Sequence, residues 1–368
     1  MSKAFAWIRR KLNPGSIASV AVSIVVALLI DAVILLIAGH DTITAYRELF
    51  VYPFSSGRHI GEMLEYAMVL CMCGLACVIG SRVGIFNVGG EGQLLLGGLI
   101  AARIGSMMNG LSPWVVIPCA ALGAMAVGGL YAFIPGILKV KLKVNEVITT
   151  IMLNSVAAAA IPFFSSSLWK TSRFNEGIDV PTDLRFTTLI PTSNLTTAII
   201  ASAVITFFVW YVLQKTTKGY EMRLIGDNPR FARFSGLKAD RIIIITMVIS
   251  GVMCGLTGMF RVFGAEKTFI MTKVSKDYYF EGLMVAMIAQ YQPIPTIIIS
   301  LIFAFLKTGA YGMKTVGVPI QIYWVIQATV IFCMAGEKGI RAAIRKAGER
   351  RAAERDILAR KEGGAVHE

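Results

Sequence analysis

Long apolar runs separated by short polar stretches dominate this chain. Residues 17–38 carry a single charge, Asp31, and further runs rich in Leu, Ile, Val, Ala, Met and Phe cover 67–80, 94–102, 114–138, 147–164, 196–213, 242–260, 294–306 and 320–335. A helix needs about 20 apolar residues to cross the hydrocarbon core of a bilayer. Several runs reach that length alone and others do so with their flanks. The pattern predicts an all-α polytopic membrane protein with about ten transmembrane helices, over roughly 17–38, 62–80, 88–107, 114–137, 145–167, 196–214, 242–263, 279–291, 294–311 and 320–336. An outer-membrane barrel would instead show weakly alternating segments of about 10 residues. Two regions are irregular. The stretch 281–290 is short for a span and runs into Tyr291-Gln292-Pro293-Ile294-Pro295, which reads as a broken helix or a re-entrant segment; such backbone is tolerated only where protein or a water cavity covers it. The region 62–91 is interrupted by glycines, so eight full crossings with partial ones is the lower bound.

Charge orients these elements. The 368 residues are 55% hydrophobic and only 16% charged, with a mean hydropathy of +0.67 and a net charge of +14. A surplus of that size suggests nucleic acid, but its distribution argues against it. With both termini inside, 24 of the 36 Lys/Arg fall on the cytoplasmic side and 9 outside, the rest lying at or within helix ends. This is the asymmetry of the positive-inside rule. The expected organisation is a cytoplasmic N-terminus over 1–16, a transmembrane domain over 17–336 with an external loop at 168–195 and a cytoplasmic loop at 215–241, and a charged cytoplasmic tail over 337–368. The first apolar run is too long for a signal-peptide core and is read as a retained helix. All six cysteines lie in apolar runs without zinc-type spacing and are expected to act as small buried hydrophobes.

The cytoplasmic loop is the most distinctive segment. It carries seven Lys/Arg and reads as a turn at Gly226-Asp227-Asn228-Pro229, a short helix through Phe231, Ala232, Arg233 and Phe234, and an end at Gly236. A structured loop of this kind is a docking element. Elsewhere, Gly84-Ile85-Phe86-Asn87-Val88-Gly89-Gly90-Glu91-Gly92-Gln93 lacks the Lys-Ser/Thr ending of a phosphate loop. Asn87, Glu91 and Gln93 enter a region expected in the membrane, where uncompensated polar groups cost several kcal/mol. Either they bond the exposed backbone of a helix break or they line a polar path. Asn145 and Glu146 suit the start of a helix, as cap and dipole partner. Thr150 and Asn154 share a face of it, as interhelical bonds or as contacts to a substrate. Gln290 and Gln292 flank the late break and are further path candidates. Asp31 stands alone in the first span, where a paired or cavity-facing carboxylate is expected, and Arg261 and Glu266 are expected to be solvated or paired at an outer helix end. No nucleophile–base set, HExxH, GxSxG or Walker A sequence is present, so energy must enter from another chain.

Three segments, GIFNVGGEGQLLLGG (84–98), KVNEVITTIMLNSVAAA (143–159) and RLIGDNPRFARFSGLK (223–238), with a fourth at 282–310, resemble the membrane subunits of bacterial ABC importers in the branched-chain amino acid/simple-sugar permease family. The resemblance is closest to the subgroup that works with a BMP-type lipoprotein and imports nucleosides. It runs from about 60 to 335, and it departs from the family pattern at Ala232-Arg233 and at Ala289-Gln290-Tyr291-Gln292-Pro293. The resemblance implies a transport subunit of the bacterial cytoplasmic membrane with no catalytic residues and no cofactor or metal of its own. ATP and magnesium would be used by a partner ATPase that grips the 226–236 helix. A second permease subunit, a substrate-binding lipoprotein or periplasmic protein, and membrane lipid would be the other partners, with no nucleic acid. Nucleosides, simple sugars and branched-chain amino acids are all open as substrates. The competing classes are an ion-gradient-driven secondary transporter, which would require Asp31 or Glu91, and a membrane-embedded enzyme, which the missing acid–base set disfavours.

Overall fold

The computed structural model describes residues 14–169, 177–319 and 321–333. Its helices in chain order are α1 (Pro14–Ile37), α2 (Thr42–Val51), α3 (Gly57–Ser81), α4 (Gly90–Met107), α5 (Pro113–Leu142), α6 (Glu146–Pro162), α7 (Ala198–Lys215), α8 (Thr217–Asp227), α9 (Pro229–Phe234), α10 (Ala239–Phe260), α11 (Met271–Val274), α12 (Tyr278–Ile288), α13 (Pro293–Thr315) and α14 (Ile322–Cys333). Among the described residues, six helices are long and apolar enough to cross a bilayer: α3, α5, α6 extended to Ser165, α7, α10 extended to Glu266, and α13. The expected segments at 1–13 and 337–368 lie outside the described residues.

The chain forms two compact units. One comprises the chain up to Tyr46 and from Val316 onward, and its described helices are α1, the start of α2, and α14. Here Asp31 is buried, with Thr329 of α14 beside it. Outside the helices, Asp41 caps α2 by accepting from the amide of Ile43 at 3.1 Å, and its bonds to Thr44 hold its carboxyl below the usual range.

The second unit, Arg47–Thr315, holds the remaining helices. α3 is buried along nearly its whole length. α10 packs most extensively against α5 and α4, and the contact is made by glycine. A Cβ on Gly255 would overlap the carbonyl oxygen of Ala124, one on Gly258 that of Leu94, and one on Gly128 that of Gly251. Small residues let membrane helices approach backbone to backbone, because burial of apolar side chains offers no gain over lipid.

The structure departs from the sequence expectation in several places. The stretch 62–81 lies in one continuous helix, Gly57–Ser81 of 25 residues, and the break falls after it, at 82–89. α12 has 11 residues, about 16 Å at 1.5 Å per residue, and so does not cross a hydrocarbon core of about 30 Å. It ends in two consecutive left-handed residues, Gln290 (φ 50°) and Tyr291 (φ 53°). The fold is not purely helical. Ile178–Asp179 pairs antiparallel with Thr268–Phe269, and the amide of Phe186 donates to Phe263 at 2.9 Å, so the described part of the 168–195 loop is stitched to the end of α10. Gly226 and Asp227 close a helix, α8, that the sequence pattern reads as a turn: Thr216 caps it, and nothing between Thr217 and Asp227 breaks it. Of the two fates expected for Arg261 and Glu266, the structure shows pairing, with Arg261 buried. Cys71, Cys73, Cys77 and Cys254 are buried thiols, while Cys119 and Cys333 are partly exposed.

Candidate functional site

The break between α3 and α4 runs inward instead of out to solvent. Ile85 and Asn87 are buried, and Asn87 donates to Ser250 at 2.9 Å, which in turn donates to the carbonyl of Ala76 at 2.8 Å. Ala76 lies five residues before the end of α3, about 8 Å down the helix. α4 therefore starts inside the bundle. Non-helical backbone at this depth must find internal partners, and it does. The amide of Ile85 donates to Gly80 at 3.2 Å, the amide of Gly89 to the Asn87 side chain at 3.1 Å, and the amide of Val88 to Thr150 at 3.3 Å. Asn154 serves both sides of the break, donating to the carbonyl of Val88 and accepting from the amide of Gly92, each at 2.9 Å. The carbonyl of Asn87 accepts from the Tyr279 hydroxyl, and the Tyr279 ring fills the space that a Cβ on Gly90 would need. Asn87 and Gln93 exchange two side-chain hydrogen bonds, at 2.8 and 3.1 Å.

The fold thus gathers Asn87, Glu91, Gln93, Thr150 and Asn154, which come from two stretches of the sequence more than 50 residues apart. Asn87, Gln93, Thr150 and Asn154 spend their polar groups on the break. Glu91 differs: it is only partly buried, and one carboxylate oxygen accepts from the amide of Tyr279 at 3.2 Å in the first turn of α12. Gln290 lies elsewhere, exposed on the α12–α13 turn. Asn145 caps α6 at 2.9 Å, and Glu146 pairs with Lys139 at 2.6 Å. Replacing Asn154 with alanine leaves the Val88 carbonyl and the Gly92 amide without partners, at about 1–3 kcal/mol for each buried group. The expected result is a lower thermal midpoint of the detergent-solubilised protein with unchanged membrane insertion, read by a thermal-shift assay.

The 215–241 segment forms a second site. α9 is defined at both ends by its own sequence. Asn228 accepts from the amide of Phe231 at 3.0 Å as the N-cap, and Pro229 occupies the first helical position, where its missing N–H costs nothing. Gly236 (φ 81°) closes the helix, with the amides of Gly236 and Leu237 donating to Arg233 and Ala232 at 3.0 and 3.1 Å. Arg233 reaches Asp240 at 2.6 Å, fixing α9 to the start of α10. Ala232 is buried, while Phe231 is 55% and Phe234 92% exposed. α8 seats this helix on the break: a Cβ on Gly226 would overlap the carbonyl oxygen of Arg82, and Gly84 lies beside it. Arg82 then donates to the carbonyl of Tyr291 at 2.8 Å, at the left-handed turn after α12. Burial and the neighbouring Arg223 push the Arg82 pKa down, opposed by Asp227. A short chain of contacts therefore links α9 to the α3–α4 break and the α12–α13 turn. The sequence carried little sign of Arg82, which reads there as one more basic loop residue.

Six helices long and apolar enough to cross a bilayer, an inward break bonded by side chains, and an exposed two-helix segment are the features of a multi-span membrane protein. The chain belongs to the family described as branched-chain amino acid transport system, permease component, whose model matches residues 59–335. It is a multi-pass protein of the bacterial cytoplasmic membrane. It is 31% identical to the nucleoside ABC transporter permease protein NupB of Lactococcus lactis subsp. cremoris, over 90% of this chain and 94% of that one. Similarity to the guanosine ABC transporter permease protein NupP of Bacillus subtilis is 29% identity over 88% and 94% of the two chains. The glucose ABC transporter permease protein TsgB13 of Haloferax volcanii is 26% identical over 84% of each. No solved structure matches the chain.

Proposed function

We propose that this chain is the membrane-spanning subunit of an ATP-driven importer of nucleosides. The observation that carries the coupling role is α9: a helix capped at both ends, seated on Arg82 through Gly226, with two phenylalanines presented to solvent. Exposed aromatic side chains on a rigid element are what a protein partner buries at the centre of an interface. In this reading both termini and the 215–241 loop are cytoplasmic, about ten segments enter the membrane, and the 168–195 loop is external. The partner ATPase holds α9 and uses ATP and magnesium, while this chain contributes neither catalytic residue nor cofactor. A second permease subunit completes the path, and a lipoprotein or periplasmic binding protein delivers the substrate. Nucleosides are favoured as substrate because the relatives from L. lactis and B. subtilis are named for nucleoside and guanosine transport. The Haloferax relative, named for glucose, supports a simple sugar as the second reading.

Within the path, Glu91 is the residue we assign to substrate. Its carboxylate keeps acceptor capacity beyond the Tyr279 amide and suits the hydroxyl donors of a ribose. Uptake of radiolabelled uridine, guanosine, glucose and leucine by proteoliposomes holding the whole importer tests both points. Nucleoside uptake should require internal ATP, ignore ionophores, and fall at least tenfold in Glu91→Gln. Uptake of glucose alone favours the sugar reading, and uptake driven by an ion gradient without ATP overturns the proposal.

A further inference from the structure

Five charged side chains are folded into the end of the second unit remote from Arg82. Arg261 pairs with Glu65 of α3 at 2.5 Å and with Glu266, and its guanidinium lies 4.7 Å over the ring of Tyr278. Lys307 of α13 donates to Glu281 of α12 at 3.0 Å and to the hydroxyl of Tyr66. Its ammonium is 4.0 Å from the Tyr66 ring centroid and 5.2 Å from that of Tyr278. The two tyrosines meet edge to face at 5.4 Å, so the two ion-pair groups share one aromatic partition. Arg261, Glu65 and Glu281 are buried.

The local backbone is shaped to make this cluster. Residues 261–266 form a turn of π-helix at the end of α10. In an α-helix, residues five apart point about 140° apart; the wider π turn stacks them, and that is what places Glu266 over Arg261. Stability alone does not explain the arrangement. A buried ion pair is often no better than apolar side chains of the same shape, and ionisable groups inside membrane segments mark function by default. The Lys307–Glu281 pair also joins two separate helices. Lys307 and Glu281 lie on the two arms of the α12–α13 hairpin, whose turn at Tyr291 is held by Arg82 next to Gly226. One end of the hairpin is thus in contact with the α8–α9 segment through Arg82, and the ion pairs hold the other.

We propose that Arg261 and Lys307 are positioning residues of the transport cycle: with Glu65, Glu266 and Glu281 they latch the end of the path remote from the ATPase, and the latch is remade as the hairpin moves. The proposal rests on the permease reading above. The test uses the complete importer in proteoliposomes and compares the wild type with the apolar pair E281L/K307M. The expected result is a thermal midpoint no lower than that of the wild type, with nucleoside uptake per ATP hydrolysed reduced at least tenfold. Uptake per ATP within twofold of the wild type overturns the latch while leaving the permease reading intact. Hydrogen exchange of residues 278–288 in the wild-type complex, with and without vanadate-trapped nucleotide, decides the matter even if the variant does not assemble or the wild type takes up no nucleoside. A change in exchange between the two states supports the latch, and identical exchange overturns it.

Discussion

Phe234→Glu is expected to remove the ATPase from the complex while leaving the permease in the membrane. Phe234 is 92% exposed at the end of α9, so its loss costs the chain little stability. In the complex the same ring would be buried. Central aromatic anchors are worth about 2 kcal/mol or more when truncated, and a carboxylate put in their place adds the cost of an unpaired buried charge. The expected loss of affinity is at least about 30-fold, since 1.4 kcal/mol corresponds to tenfold. Co-purification of the ATPase with the tagged permease reads it directly, with the membrane fraction as the control for insertion. Undiminished co-purification would remove α9 as the docking element.

Gly255→Val is expected to have the largest effect on the fold itself. The seam between α10, α5 and α4 leaves no room at this position. A Cβ there would overlap the Ala124 carbonyl, and the backbones of Gly97 and Gly128 also abut it. Overpacking a core costs about 1–3 kcal/mol when side chains can shift. Here the obstacle is backbone on both sides, so the cost is about 3 kcal/mol or more, and the variant should reach the membrane at much reduced yield. Thermal unfolding of the purified protein measures the effect. Leu122→Ala, at a residue of α5 that is 63% exposed, serves as the control and should stay within about 0.5 kcal/mol of the wild type. A Gly255→Val protein as stable as that control would mean the seam is wider than described.

Much of this architecture is visible in the sequence because lipid imposes a simple rule on helices. Apolar runs marked the helices, and Asn228, Pro229 and Gly236 announced α9 through the local chemistry of its ends. The short helix itself was therefore legible residue by residue. Contacts between distant segments were not. Asn87, Thr150 and Asn154 could be singled out as polar groups in apolar runs, but whether they bond backbone or face a path depends on which segments meet, and a break that turns inward looks the same in sequence as one that turns out. Glu65, Glu281 and Lys307 were overlooked for a related reason: each is one charge near the edge of an apolar run, where snorkelling to the interface is the ordinary fate. Arg261 and Glu266 were read together as solvated or paired, but five residues is not an α-helical neighbour spacing, so the sequence could not choose between the two. Only the π turn makes them adjacent.

The inward break also sets an order of assembly during synthesis. The Val88 backbone must wait for Thr150 and Asn154, more than 60 residues downstream, and the Asn87 carbonyl for Tyr279, 192 residues downstream. At about 5–20 residues per second, the second wait is roughly 10–40 s. Through that interval the start of α4 has bare polar backbone that the hydrocarbon core cannot accommodate. The expected course is that the 82–90 segment stays outside the hydrocarbon core until α6 and then α12 emerge, so that α4 settles late despite being made early. Truncations ending before residue 279 should leave this segment open to proteolysis, a liability present in the nascent chain and absent from the finished protein.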